Sequence, residues 1–319
     1  PALEVRSSHG SAGELPRVRL TPPVTAVHGL DAFSLSLDGT WRFLHHVPDR
    51  FRGRASEFPE SASVELPGHF ARQGYEPMER RLGRAVAFTR TFDVPVSFAG
   101  RAMMLRFESV DGLLRLWVND RPVGASDSAF LPVEFDVTPF VKAGETNSIT
   151  FTLELSDVTS WYLRAMGGVG RSVALYALPL THVSRLHVET QLGALASPAR
   201  DHDTAAVHFE VAHQGDSPSE PARARFEIVD ATGRSLALSP GHGDLPGLAP
   251  GTLYAARIDL SVRDAEHWTN EHPAMYTLRC ELIDAHGAVT MRCERPFGFR
   301  EITLDGGRLL INGRAIKLF

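Results

Sequence analysis

Apolar and polar residues alternate along this chain with a period of two, the pattern of strands whose successive side chains point to opposite faces. Val86, Phe88 and Arg90 alternate with Ala87, Thr89 and Thr91 before Pro95 ends the run. Residues 103–107 form a second apolar run. Leu114, Leu116 and Val118 share one face of a third, with Leu113, Arg115 and Trp117 on the other. Asn119-Asp120 then reads as a tight turn, because both residues tolerate positive φ at low cost. Residues 133–137 and 149–155 follow, the latter with Ile149, Phe151, Leu153 and Leu155 on one face. Helical periodicity is almost absent. Short strands separated by Gly, Pro, Asn and Asp predict an antiparallel sandwich.

The pattern changes near residue 180 and again near 302. Between them lie runs at 183–188, 205–212, 224–229, 253–260, 276–283 and 289–293. That number of strands in this length suits an immunoglobulin-like sandwich. The expected division is a first sandwich at 1–182, a second at 183–302 and a short segment at 303–319. That segment reads as a hairpin whose last strand has just begun, and the halt at Phe319 inside an apolar run reads as a cut.

Composition sharpens this picture. The 27 glycines and 21 prolines are spread over the whole chain, which suits many short strands and turns. Net charge is −5 and no basic block occurs, which argues against a nucleic-acid partner. No apolar run reaches the roughly 18–20 residues needed to span a bilayer, so no membrane association is expected. No leader of charged, apolar and small residues is visible and a cytoplasmic location is expected, although the chain opens at Pro1 rather than Met and a removed signal stays open. Cys280 and Cys293 are the only cysteines and do not make a disulfide framework. A two-residue turn at His286-Gly287 would set them directly opposite on paired strands. A bridge is then geometrically conceivable, with two reduced, packed thiols as the favoured reading.

Several stretches occur in the order found at the front of family 2 glycoside hydrolases. Leu37-Asp38-Gly39-Thr40-Trp41-Arg42-Phe43 resembles the family's opening strand. Val64-Glu65-Leu66-Pro67-Gly68-His69-Phe70 with Gly74-Tyr75 resembles its "V-P-x-x-W … G-Y" stretch, with Phe70 in place of Trp. Residues 105–155 carry the longest match, including Leu116-Trp117-Val118-Asn119-Asp120 and Glu134-Phe135-Asp136-Val137-Thr138. Trp268 to Leu278 resembles "W-x-x-E-x-P-x-L-Y-x-L", and Phe297 to Arg314 resembles the "G-F-R … L-N-G-x-P" approach to a catalytic barrel. The resemblance implies an all-β chain: a jelly-roll, galactose-binding-like β-sandwich, an immunoglobulin-like β-sandwich, then a TIM barrel that is absent here. In such enzymes a retaining pair of carboxylates about 5 Å apart sits on the barrel. The implied role is therefore the non-catalytic N-terminal part of a retaining β-glycosidase, a β-galactosidase foremost. β-Glucuronidase, β-mannosidase and a stand-alone carbohydrate-binding module are the alternatives. The chain itself is expected to be inactive and to bind no cofactor, with any sodium or divalent ion belonging to the parent's barrel. Apolar surface left by missing barrel contacts is expected to drive homo-oligomerisation.

Chemistry-bearing motifs are few. No H-E-x-x-H, no Cys/His ligand cluster and no G-x-S-x-G occurs, so neither a metal site nor a serine nucleophile is assigned. Gly167-Gly168-Val169-Gly170-Arg171-Ser172 matches neither a P-loop nor G-x-G-x-x-G, and resembles the family's "G-G-I-x-R-x-V" turn, where glycines let the loop approach the barrel mouth. Asn270-Glu271 looks like the family's acid/base dipeptide but falls ahead of any barrel, so a structural role is expected. The resemblance places a sugar- or sodium-contacting aspartate where this chain has Tyr162, which puts the ordinary galactosidase subsite in doubt. The sugar-contacting asparagine expected before Phe88 is not evident in residues 79–84. Trp161, Tyr162, Glu79 and Arg80 are the candidate substrate-binding residues, the two aromatics as platforms for a sugar face. The competing reading is that Trp161 and Tyr162 pack their loop against the barrel or a partner subunit. Trp41, Trp117 and Trp268 are expected in the core.

Overall fold

The computed structural model describes residues 4–7, 26–58, 62–75, 85–127, 131–154, 168–196 and 201–317. The chain is all-β; among the described residues the one α-helical element is the single turn Gly193–Ala196. It divides into two compact units, one holding residues 29–180 and the other holding the chain from Thr181 together with residues 4–7 and 26–28.

The first unit is an antiparallel sandwich. Its six-stranded sheet runs Arg121–Ser126, Leu113–Val118, Thr146–Glu154, Ala85–Asp93, Gly39–Leu44, Ser63–Leu66. Its four-stranded sheet runs Val133–Asp136, Arg101–Phe107, Val173–Pro179, Ser34–Ser36. The alternation read from the sequence holds: Leu114, Leu116 and Val118 are buried and Arg115 is exposed. Asn119 and Asp120 have φ of 51° and 61° and close the hairpin that pairs Val118 with Arg121. Both central residues at positive φ make this a turn whose twist matches the flanking strands.

Between the sheets the core is aromatic. Phe151 stacks on its cross-strand partner Phe88 at 4.7 Å and meets Trp41 and Phe107 edge-on at 5.4 and 5.2 Å. Phe107 comes from the opposite sheet, so this ring contact ties the two layers together. Such ring pairs add roughly 0.5–1.5 kcal/mol each beyond the area they bury. The outer face of the six-stranded sheet is covered too. Thr89, Thr150 and Thr152 are buried, and the Thr89 hydroxyl bonds the Ile149 carbonyl and the Thr150 hydroxyl. On that sheet Trp117 is half-buried on the face opposite Leu116, against Phe51, so it is not a residue of the inter-sheet core. Gly53 fits there with φ of 78°; a Cβ would lie 2.4 Å from the Trp117 ring.

The second unit is also an antiparallel sandwich. Thr181–Gln191, Asp203–His213 and Thr252–Val262 form one sheet, edged by Glu4–Ser7 and by Leu238–Ser239. The other sheet runs Ala26–Val27, Val289–Phe297, Tyr276–Ile283, Ala222–Asp230, His242–Leu245. Residues 4–7 and 26–27, on the first-sandwich side of the boundary expected at 182, pair with strands of this second unit. Strands of four and two residues are too short to carry a readable alternation, and their partners lie more than 240 positions away. After the second sandwich, Ile302–Asp305, Arg308–Ile311 and Arg314–Ala315 form a three-stranded meander. Its turns, Gly306-Gly307 and Asn312-Gly313, have both residues at positive φ, as two-residue hairpins require.

The two cysteines are direct cross-strand partners, as expected, but the turn behind that register differs. Asp284 N–H bonds the Ala288 carbonyl, leaving a three-residue loop with Gly287 at φ 85°. A bulge between Leu282 and Ile283 then restores the pairing that a two-residue turn would give.

Candidate functional site

At one end of the first sandwich three two-residue strands come together: Gly68–His69, Gly168–Val169 and Val110–Asp111. Gly168 is central, paired with His69 on one side and Asp111 on the other. Directly opposed residues in antiparallel strands share a face, so the imidazole and the carboxyl lie in one rank across the glycine. Gly168 has φ of 136°, and a Cβ there would stand 2.3 Å from the Gly68 carbonyl oxygen. The glycine-rich turn therefore owes this glycine to a close approach within the sandwich itself. Asp111 is 4% exposed, and His69 Nδ1 is buried without a hydrogen-bond partner among the described residues. A carboxyl and an imidazole so placed can exchange hydrogen bonds with hydroxyl groups. Cleavage of a glycosidic bond would need a differently built pair of carboxylates. Neither His69 nor Asp111 stood out in the sequence, because nothing local reveals that Gly168 draws residues 69 and 111 together.

The four residues singled out from the sequence, Glu79, Arg80, Trp161 and Tyr162, lie outside the described residues. The strand ends that anchor their segments are described. Ala85, which follows residues 76–84, pairs directly with Glu154, which precedes residues 155–167. The second segment returns at Gly168, opposite His69, six positions before Tyr75, where the first segment departs. Both candidate segments are thus anchored at the end of the sandwich that holds the His69–Gly168–Asp111 rank. The six-stranded sheet contributes an Arg115–Glu154 ion pair at this end, 3.3 Å long.

The residues that carry the landmark patterns serve packing here. Phe70 is fully buried and stacks on Phe43 at 5.3 Å, and Tyr75 meets Phe43 at 4.6 Å while its hydroxyl bonds the Ser63 carbonyl. Asn119 donates to Phe140 O and to Asn147 Oδ1, and accepts from Ser148 N–H. In the second unit Trp268 is half-buried, with the Arg300 guanidinium 4.4 Å above its ring and Gly298 packed against its Cβ. Asn270 and Glu271 lie near an exposed turn closed by the Thr269 N–H bond to the His272 carbonyl. Asn312 clamps the meander to this sandwich, donating to Trp268 O and accepting from Glu301 N–H.

Two grooves open on the second sandwich. One, of about 580 Å³, lies over Arg225, Glu281, Arg292, Arg279, Glu227 and Glu294. These side chains are already ion-paired to one another, with Glu281 held by both Arg225 and Arg292. The other, of about 700 Å³, is lined by residues that include His187, Arg257, Arg295 and Thr204. Burial, with Arg185, His208 and Arg295 nearby, holds the His187 pKa below the usual imidazole value against the pull of Glu189. Among the described residues no group of three or more His, Cys, Asp and Glu side chains is placed to hold a metal, and no helix is long and apolar enough to cross a membrane.

Comparison with known proteins places both sandwiches. Residues 35–179 match the model described as glycosyl hydrolases family 2, sugar binding domain, and residues 181–300 match glycosyl hydrolases family 2. A β-galactosidase of Yersinia enterocolitica is 28% identical over 316 residues, covering 88% of this chain and 29% of that protein. A β-galactosidase of Priestia megaterium is 26% identical, with 89% of this chain and 29% of that protein covered. This chain thus spans about 29% of the length of either relative. Among solved structures, a Bacteroides uniformis β-glucuronidase superposes with a TM-score of 0.72 at 19% identity, covering 89% of this chain and 34% of that one.

Proposed function

The chain belongs to glycosyl hydrolases family 2, and from that premise we propose that it forms the non-catalytic N-terminal part of a retaining β-glycosidase acting on β-galactosides. The observation that carries this reading is one of extent. Almost all of the chain aligns with β-galactosidases, yet it spans about 29% of their length, and its two matched segments together are a sugar-binding domain and a second sandwich. In the parent enzyme the first sandwich shapes the sugar pocket through the segments anchored beside His69, Gly168 and Asp111. Glu79, Arg80, Trp161 and Tyr162 are the residues of those segments that contact substrate. The second sandwich and its meander brace a barrel that supplies both catalytic carboxylates and any sodium or divalent ion. Ile302 and Leu304, 55% and 78% exposed on the meander's outer strand, suit a surface that meets another domain. On its own, the chain turns over no glycoside and self-associates through this strand. The parent works in the cytoplasm, with carbohydrate as its partner and no nucleic acid or membrane.

β-Glucuronidase is the second reading, favoured by the shared fold with the Bacteroides uniformis enzyme. The reading frame downstream of Phe319 distinguishes these accounts. A further run of alternating strands and helices with two glutamates at strand ends supports the parent enzyme. A stop codon there contradicts it and favours a free-standing binding protein.

A further inference from the structure

Cys280 and Cys293 are direct partners on neighbouring antiparallel strands, and their exposures are 0% and 1%. On the other side of its strand, Arg292 accepts a hydrogen bond from His28 N–H at 2.9 Å, so its backbone groups face Ala26–Val27. The N–H and C=O of adjacent residues in a strand point to opposite sides. Those of Cys293 therefore face Cys280, and the two occupy a hydrogen-bonded rank. Such a rank sets Cα atoms about 5.5 Å apart, inside the roughly 4.4–6.8 Å that a disulfide spans. It sets Cβ atoms near the wide end of about 4.5–5.5 Å, so closing the bridge draws the two Cβ atoms together by about 1 Å. Both side chains share the inner face with Leu278, Leu282 and Met291, all buried. The Cys293 thiol donates to the Cys280 carbonyl at 3.6 Å. The three-residue loop and the bulge at Leu282/Ile283 together set this register.

We propose that Cys280 and Cys293 form a latent cross-strand disulfide site, closed by a low-molecular-weight disulfide while the second sandwich is open during folding, and left as two thiols when folding occurs in a reducing compartment. The step balances. A thiolate of one cysteine attacks the oxidant's disulfide, releasing one small thiolate and leaving a mixed disulfide. The second cysteine's thiolate then displaces the other small thiolate. Two protein thiols are oxidised, one disulfide oxidant is reduced to two thiols, and the protons pass to the departing thiolates. Timing follows from burial. In the folded state the adjacent Cys293 sulfur and the apolar surroundings push the Cys280 thiol well above its usual pKa, so little thiolate exists to react. Oxidation then belongs to the open chain, and a folded, reduced protein is protected.

The test is to refold the full chain from denaturant with a mixture of reduced and oxidised glutathione, and in parallel with excess dithiothreitol. Iodoacetamide labelling under denaturing conditions and intact mass then count the thiols. The expected result is a monomer that has lost two hydrogens and takes up no label after oxidative refolding, with the circular dichroism of the reduced form. Its denaturation midpoint should be higher than that of the reduced form. The C280S and C293S variants should instead end as free thiol or glutathione adduct, and the double serine variant reports whether the fold tolerates the changes. The reduced, folded protein should resist glutathione disulfide over the same period. Two alkylatable thiols after oxidative refolding would overturn the proposal. So would intermolecular disulfides, or an oxidised monomer that loses its fold.

Discussion

In the first sandwich Trp41, Phe43, Phe70, Phe88, Phe98, Phe107 and Phe151 are all fully buried, and most touch one another. In the second, Phe299 is the only aromatic ring among the largest fully buried side chains of the described residues. The centre of that sandwich is held by Leu278, Leu282, Ile228, Val207 and the two cysteines, with a ring contact between its sheets, Phe209 on Phe226 at 5.3 Å. Its outer face carries a ladder of ion pairs, with Arg225, Glu281 and Arg292 in one group and Arg279 bridging Glu227 and Glu294 in another. The first sandwich has exposed pairs too, Arg115–Glu154 among them, but it also buries one. Glu134, 3% exposed, accepts from Arg106 at 2.8 Å and from the Tyr176 hydroxyl. Both units are thus held from inside, the first by more and larger rings, and the second carries the denser outer ladder of ion pairs. Exposed pairs contribute little, while interior rings and buried charges carry large penalties when broken.

Substitutions should break that contrast unequally. Phe151→Ala removes a ring that touches Trp41, Phe88 and Phe107, and should destabilise the first sandwich by about 3–5 kcal/mol. Chemical denaturation followed by tryptophan fluorescence should show the loss, while the alkylation rate of Cys280 and Cys293 stays unchanged. Glu134→Ala removes the 2.8 Å partner of Arg106 while Glu108 stays paired to it, and should cost about 1–3 kcal/mol in the same experiment. Arg279→Ala, on the exposed ladder of the second sandwich, should cost less than about 1 kcal/mol, and added salt should shrink the difference further.

The smallest effect is a pH dependence. The Asp230 carboxyl accepts from the Thr232 hydroxyl and from the backbone N–H groups of Thr232 and Arg234, which depress its pKa to about 2. A depressed carboxylate pKa stabilises the folded state above the unfolded value near 4. That contribution fades as pH falls through about 2. Against Asp230→Asn, the wild-type advantage should therefore be constant above about pH 5 and shrink steadily below pH 4. An advantage that grew on acidification would contradict the assignment.

The first sandwich was the more legible of the two in the sequence, for a physical reason. Its core residues are large, and the Asn119-Asp120 turn announces itself by residue type. The ladder from Leu113 to Val118 needed no tertiary information. Less legible were features made by distant pairing. Nothing in residues 4–7 or 26–27 points to partners in the second sandwich. The requirement for Gly168 comes from the Gly68 carbonyl, a hundred positions earlier. Trp117 follows the alternation faithfully, yet the segment around Gly53 and Phe51 packs on its face and half-buries it. The cysteine register was anticipated through a two-residue turn, whereas a three-residue loop and a bulge together produce it. Of the functional end, the sequence picked out segments by their resemblance to a family. The His69–Gly168–Asp111 rank that anchors them emerged only from the strand pairing.

We propose above that this chain is the non-catalytic part of a β-galactoside-cleaving enzyme. The most direct test of that reading is hydrolysis of a chromogenic aryl β-D-galactoside, measured for the chain alone and for the protein extended through the downstream reading frame. The account predicts no turnover by the chain alone and saturable hydrolysis by the extended protein, with the β-glucuronide and β-mannoside analogues cleaved far more slowly. Turnover by the chain alone, or an extended protein that folds yet cleaves none of these glycosides, would contradict it.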